Sequence, residues 1–512
     1  MRDGRIIALG DDALALRSPQ REEIDLAGGC LLPAFRDGHA HPLWGGRSLL
    51  GAPVAGATSL DELLARVRSY ADEHPALDWI TGAAYDPTLL PGGVGDAALL
   101  DVAAGGRPVL LWATDHHTAW VSSAALRAAG IDAATPDPRR GRIVRRADGS
   151  PAGTLLEEAA HVVAALAPAP SDDDVRDALE LALQRFAAAG VAWVQDAALR
   201  PHELDHFLAL ADSGRLPCGV AAALVADPSR WESQVDDLVA TRERCVSLAV
   251  TAATIKLFAD GVIESGTAAL VDPYCDCAAG AGGHHGIANW PSDELARAVV
   301  TFDTLGFQVH IHAIGDAGVR SALDAVAAAV AVNGRRDRRP VIAHTQLVQP
   351  SDLARFAELG VIANFEPLWA QQDQLMLELT EPRLGPERSA WQYPMRSVHG
   401  AGAVLSFGSD WPVSSYAPLD GLAVAVTRQT RAGTPRDGWL PEQRLALDDA
   451  LAAYTVGTAH QAFAAAGTGR LALGAPADLC FLAADPATVA PHDLPELTVL
   501  GTWTEGREVF RA

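Results

Sequence analysis

Residues 31–42 read LLPAFRDGHAHP, a short apolar run that leads into Asp37, then His39 and His41. Side chains two apart on a strand share a face, so both imidazoles can leave the end of one buried strand in the same direction. Neutral imidazoles side by side fill a core poorly and begin a metal site well. A His-x-His pair alone is as readily a turn or surface feature. The remainder of the chain gives it weight, because further ligand types end other strand-like runs.

Those runs follow at regular intervals from about residue 172. They are GVAWVQDA (190–197), PCGVAAALVA (217–226), TAATIKLFAD (251–260), FQVHIHAIGD (307–316), RPVIAHTQL (339–347), GVIANFEPL (360–368) and GAVLSFGSDWPV (402–413). Each comes after a helix-like stretch, as parallel strands require. They are near-continuous apolar runs, as expected of strands covered on both faces. With the run at 31–42 they make eight strands. The expected fold class is α/β, a TIM-like (β/α)8 barrel whose active site lies at the C-terminal ends of its strands.

That rule selects residues. The first strand ends with His39 and His41, the fourth carries Lys256, and the fifth ends with His310 and His312. The sixth ends with His344 and the eighth with Asp410. Imidazoles and carboxylates suit zinc or a similar divalent ion, which lowers the pKa of its water to about 7. Asp410 is placed to take that proton and pass it to a leaving amine. Lys256 admits three readings: a neutral amine of lowered pKa, a cation for a substrate carboxylate, or a carbamate formed with CO2.

Composition bounds the function. The 512 residues carry a formal net charge of −24, with 49% hydrophobic and 20% charged residues. No basic field is available for phosphates, so neither nucleic acid nor an anionic membrane is an expected partner. No apolar run of membrane-spanning length occurs, and residues 1–12 do not read as a secretory signal. The six scattered cysteines suit reduced thiols in a cytoplasm. Cys275 and Cys277 with His284 and His285 match no standard zinc-finger spacing and read as a loop.

Residues 1–30 read as the first strands of a small β element. Residues 45–170 lack the strand–helix rhythm and read as an insertion after the first strand. Within it, Ser59 and Glu62 open a helix over 60–73 with capping-box spacing. VLLWAT (109–114) is a buried strand with His116 and His117 on the turn beyond, and 136–153 reads as a loop. Trp44 and Trp411 adjoin the candidate ligands and are the best aromatic candidates for a pocket wall.

The motifs DGHAH, TIKLFADG, VHIHAIGD, VIAHTQ and FGSDWP, in that order, resemble the amidohydrolase superfamily. The nearest likeness is to its YtcJ-like branch, amidohydrolase family 3, which includes N-substituted formamide deformylases. TDHHTAWVSSAAL (114–126) and GTLLEEAA (153–160) are similar to motifs of that branch's insertion. GRLALGAPADLCFLAADP (469–486) and VLGTWTEGREVF (499–510) look like strands that close a small β-sandwich with the N-terminal segment. The resemblance thus implies a sandwich domain from 1–30 and 466–512, and a barrel domain at 31–465 with its insertion at about 45–170.

Residue by residue, the resemblance implies that His39, His41, His312, His344 and Asp410 are metal ligands, with Asp410 also a general base. Lys256 matches a lysine that is often carbamylated and bridges two metals. His117 matches a histidine that faces substrate, and His310, one strand period before His312, supports the ligands. The chain departs from the pattern in four places. Arg36 replaces an apolar residue, Ala34 a common Gly, and Ser122 the usual Asn. Glu264, Ser265 and Gly266 stand where the branch commonly has Gly, Ser and Arg, which puts Glu264 at the substrate pocket.

The expected function is a metal-dependent amidohydrolase that cuts a C–N bond of an amide or N-substituted formamide. One or two Zn2+ ions activate hydroxide, and Asp410 shuttles the proton. The alternatives on the same scaffold are a deaminase, an esterase or a metal-dependent decarboxylase, and, from another class, a non-catalytic binding or regulatory protein. A homodimer is expected by analogy alone.

Overall fold

A computed structural model describes residues 1–18, 20, 22–245, 249–275 and 283–512. The stretch at 31–42 divides into two strands, β1 (Cys30–Pro33) and β2 (Phe35–Ala40), which serve different sheets. Pro33 lacks a backbone donor and ends the first ladder, so the chain changes partner there.

Five strands follow within the insertion: β3 (Ile80–Tyr85), β4 (Val109–Ala113), β5 (Thr118–Val121), β6 (Gly141–Arg145) and β7 (Pro151–Glu157). They form one mixed sheet in the order β3-β4-β5-β7-β6. The expected loop at 136–153 is instead largely the β6–β7 hairpin, turned at Asp148, whose carboxylate accepts from the Ser150 amide at 2.9 Å. A Pro/Arg/Gly-rich composition hid a short antiparallel pair. The expected helix spans Leu60–Glu73, capped by the Ser59 hydroxyl, while Glu62 reaches back to the Thr58 amide at 2.9 Å.

The barrel continues with β8 (Val191–Leu199), β9 (Gly219–Val225), β10 (Val250–Phe258), β11 (Gln308–Ala313), β12 (Val341–His344), β13 (Ile362–Phe365) and β14 (Leu405–Phe407). Together with β2 these are the eight expected strands, all parallel, in one sheet from β2 through β8 to β14 in chain order. The sheet curls so that the amides of Ser409 and Asp410 both donate to the His39 carbonyl, at 3.1 and 2.7 Å. Gly408 permits this closure, because a Cβ there would lie 2.7 Å from the His39 backbone. Helices such as Asp172–Ala188, Ser292–Thr304 and Asp316–Asn333 cover the outside. Their Leu179, Leu183, Phe302 and Leu323 join Ile255, Ile311, Ile342 and Phe365 of the strands in one apolar core.

The barrel interior is polar at its floor. Gln461 donates to the Gly38 carbonyl at 2.7 Å and to Gln195 at 2.5 Å, and accepts from Ser406. Asn364 donates to Ser406 at 2.7 Å, and Gln308 to the Gln461 carbonyl at 2.9 Å.

The chain ends with β15 (Leu479–Leu482), β16 (Val499–Thr504) and β17 (Arg507–Arg511). They join β1 in a four-stranded antiparallel sheet, with an isolated bridge between Arg5 and Pro476 beside it. The two ends of the chain therefore share one small β unit.

Candidate metal centre and its cavity

His39, His41, Lys256, His312, His344 and Asp410 are all buried and all line one cavity of about 1500 Å3. The alternation along β2 that aligns Asp37 with His39 carries on to His41, just past the strand. Asp37 stays beneath them and accepts from the His39 and Ser409 amides, each at 3.1 Å. His344 and Asp410 have left-handed backbones, with φ +71° and +52°. Such conformations are costly for residues other than glycine and collect where side chains must be aimed.

Two groups of ligand atoms converge to within 4.8 Å: His39, His41 and Asp410, and His39, His344 and Glu366. Asp410 Oδ1 lies 3.0 Å from His41 Nε2 and 3.4 Å from His39 Nε2, yet makes no hydrogen bond to a described residue. Lys256 Nζ is 3.5 Å from His39 Nε2. His312 stands beside these groups, its ring centroid 4.5 Å from that of His344, with Nε2 3.1 Å from the Gly261 carbonyl.

Neighbours orient each ring. His310 Nε2 meets His39 Nδ1 at 2.8 Å, which frees His39 Nε2 for the centre; His310 itself does not line the cavity. Glu366 Oε2 meets His344 Nδ1 at 2.9 Å. Trp44 stacks on His41 at 4.1 Å, and Trp369 lies parallel to His344 at 5.4 Å. Trp411 does not line the cavity. Its ring packs over Gly45 and edge-on to Phe186 and Tyr416, so a place next to Asp410 in sequence leaves it in the core.

The electrostatics suit a cation. Burial holds the imidazoles of His39, His312 and His310 well below their usual pKa, and Lys256 adds to this, so they are neutral donors. Burial opposes ionisation of Asp410, but the adjacent His39 and His41 rings outweigh it and hold the carboxyl well below its ordinary range. Burial lowers Lys256 to about 8. Neutral nitrogens around a carboxylate with an unsatisfied oxygen are a divalent-metal donor set, and the residues present fit such an ion.

The insertion contributes His117, whose Nδ1 lies 2.9 Å from Glu157 Oε2. Burial disfavours the imidazolium, but the Glu157 carboxylate prevails and raises His117 to about 9. Glu157 also accepts from Thr267 Oγ1 at 2.8 Å, and its backbone is strained, with φ +54° and ψ −125°. Glu264 lines the cavity and accepts from Thr380 Oγ1 at 2.7 Å. Cys277, paired with Cys275 in the sequence reading, lies outside the described residues.

Sequence reasoning missed Glu366, Glu157, Thr380 and Tyr393. Glu366 directly follows β13 and the strand-end rule reaches it, whereas Glu157 at the end of β7, Thr380 and Tyr393 lie outside the barrel strands, on segments whose mutual approach no local pattern encodes.

The model of the Amidohydrolase family matches residues 22–510. The putative amidohydrolase YtcJ of Bacillus subtilis is 28% identical, over 96% of this chain and 91% of that protein. The N-substituted formamide deformylase of Arthrobacter pascens is 26% identical, over 98% and 93%. A crystal structure of an uncharacterized metal-dependent hydrolase from Pyrococcus furiosus superposes with a TM-score of 0.71 and 26% identity, over 95% of this chain and 94% of that one. With the strand ends of an eight-stranded barrel delivering a metal-type donor set, and a family match across nearly its whole length, this chain belongs to the amidohydrolase family.

Proposed function

We propose that the chain hydrolyses the C–N bond of a small amide, in the manner of an N-substituted formamide. The observation that carries this is the convergence of His39, His41 and Asp410 at the strand ends, inside a cavity large enough for an organic substrate. The full-length likeness to a formamide deformylase supports the choice of bond.

His39, His41, His312, His344 and Asp410 would hold zinc, with Lys256 as a further ligand after carbamylation. Lys256 is fully buried and has no carboxylate within ion-pair distance among the described residues, a setting that favours the neutral amine able to take up CO2. A divalent ion so held supplies Lewis acidity toward the amide carbonyl and toward water. Asp410 accepts the proton of the attacking water and returns it to the departing nitrogen, so that an acid and an amine leave. His117, kept cationic by Glu157, faces the substrate side of the cavity and donates to a substrate oxygen. Trp44 and Trp369 flank the centre and limit the water around it.

No described helix is long and apolar enough to cross a membrane. Cys30, Cys218 and Cys480 form no disulfides, which supports a cytoplasmic location.

A panel of N-formyl and N-acetyl amines, scored by amine release, tests the reading. Turnover that a chelator removes and added zinc restores is expected. A metal-loaded protein that releases no amine from any member contradicts it.

A further inference from the structure

Several carboxylates that line the cavity form no ion pair among the described residues. Asp86, Asp115, Glu264 and Asp373 reach it from four separate segments, and none forms an ion pair among the described residues. Three of the arginines around the cavity, Arg140, Arg230 and Arg244, are committed to Glu158, Asp227 and Asp205. The four carboxylates belong to no group of atoms close enough for a metal ion, among the described residues.

Glu264 is the one built into place. Its turn closes through Gly266 N–H to the Ile263 carbonyl and Thr267 N–H to the Val262 carbonyl, both at 2.9 Å. Asp260 fixes the base of the loop by accepting from the amides of Ala269, Ile314 and Gly315 at 2.8–3.1 Å. The carboxylate accepts from Thr380 Oγ1, and its own amide and the more distant Arg383 also favour its ionised form, without an ion pair to any described residue. Tyr393 supplies an independent observation. It is 2% exposed, lines the same cavity, and sits on a left-handed backbone with φ +46°. Its hydroxyl makes no hydrogen bond to any described residue, so a strained, buried phenol stands ready for a ligand.

We propose that Glu264, with Thr380 and Tyr393 around it, is the subsite for an ammonium group of the substrate, which makes the substrate class an amide that carries a cationic amine away from the scissile bond. The proposal rests on the amide-hydrolase reading for its reaction and on the cavity wall for its charge. Burial pushes the Glu264 carboxyl up, and an incoming ammonium offsets that cost. The Tyr393 oxygen accepts one of the ammonium hydrogens, and Glu264 takes another as a charge-assisted bond.

Calorimetric binding of 6-aminohexanamide and of neutral hexanamide to the whole protein tests the proposal. The cationic amide should bind tighter by about tenfold or more, the weight of one charge-assisted bond. Glu264→Gln, which keeps an acceptor for Thr380, should bring the ratio to within about twofold of unity, and Tyr393→Phe should lower it in part. Hexanamide bound as tightly as its cationic partner, a preference that survives Glu264→Gln, or no binding of either probe would overturn the proposal. Hydrolysis of both probes is followed on the same samples. Charge preference without turnover of any amide upholds the subsite and removes the hydrolase reading; turnover without charge preference does the reverse.

Discussion

The floor and the mouth of the barrel are both polar, and they are polar in different ways. At the floor, Gln195, Gln308, Asn364, Ser406 and Gln461 are neutral side chains bonded mainly to one another. At the mouth, ionisable groups converge and leave atoms without partners, among them His41 Nδ1, Glu366 Oε1 and Asp410 Oδ1. Gln195 Nε2 and Asn364 Oδ1 are also unbonded at the floor, so the number of orphaned atoms does not separate the two regions. Their chemistry does: amide and hydroxyl groups can close a network, whereas neutral imidazoles around a carboxylate require a cation. A buried polar layer in a barrel therefore marks a functional centre only where its groups cannot satisfy each other.

Substitutions at the two ends should part accordingly. The largest effect is expected for Asp410→Asn, which removes the proton carrier and a ligand charge; kcat should fall by about 10^2–10^4-fold while the fold melts as one unit. Steady-state amine release and a thermal scan check both halves. Next, Glu366→Gln weakens the hold on His344 and should cost about 10–100-fold in metal affinity or activity, read by competition with a chromogenic chelator. At one remove from the mouth, His117 is cationic below about 9, so kcat/KM should fall as pH rises through about 9. The same ion pair stabilises the folded chain at lower pH and is lost over that rise, because the folded pKa lies above the ordinary histidine value. Glu157→Gln should move the fall in kcat/KM to lower pH; an unmoved profile would separate His117 from the reaction. The smallest effect on turnover belongs to the floor. Gln461→Ala strands partners on Gly38, Gln195 and Ser406 and should cost about 1–3 kcal/mol of stability in a denaturant titration, with turnover of the folded enzyme unchanged.

The mouth was far more legible than the floor. His39, His41, Lys256, His312, His344 and Asp410 interrupt apolar strands at positions a barrel directs to one end, and periodicity suffices to align them. Gln195 and Gln308 sit inside the same apolar runs and Gln461 ends a short helix beyond them, and in either place a neutral amide carries no signature of its partner. The insertion was opaque for another reason. Its strands β4 to β7 pair antiparallel, without the regular strand–helix alternation of the barrel, and β6 was hidden in a stretch that composition marks as a loop. Trp44 and Trp411 show the limit of proximity in sequence: both adjoin ligands, but the backbone turns one over His41 and the other onto Gly45. Glu264 was visible as a departure from a family motif, and only the loop packing shows that its carboxylate meets Thr380 and forms no ion pair among the described residues.

The central claim is that the mouth is a metal centre and the floor is not. Elemental analysis of divalent metal per chain, on the wild type, His39→Ala and Gln461→Ala after equal exposure to zinc, tests it most directly. The account predicts bound metal in the wild type and Gln461→Ala and its loss in His39→Ala. A wild type that holds no metal, or a His39→Ala variant that holds as much as the wild type, would contradict it.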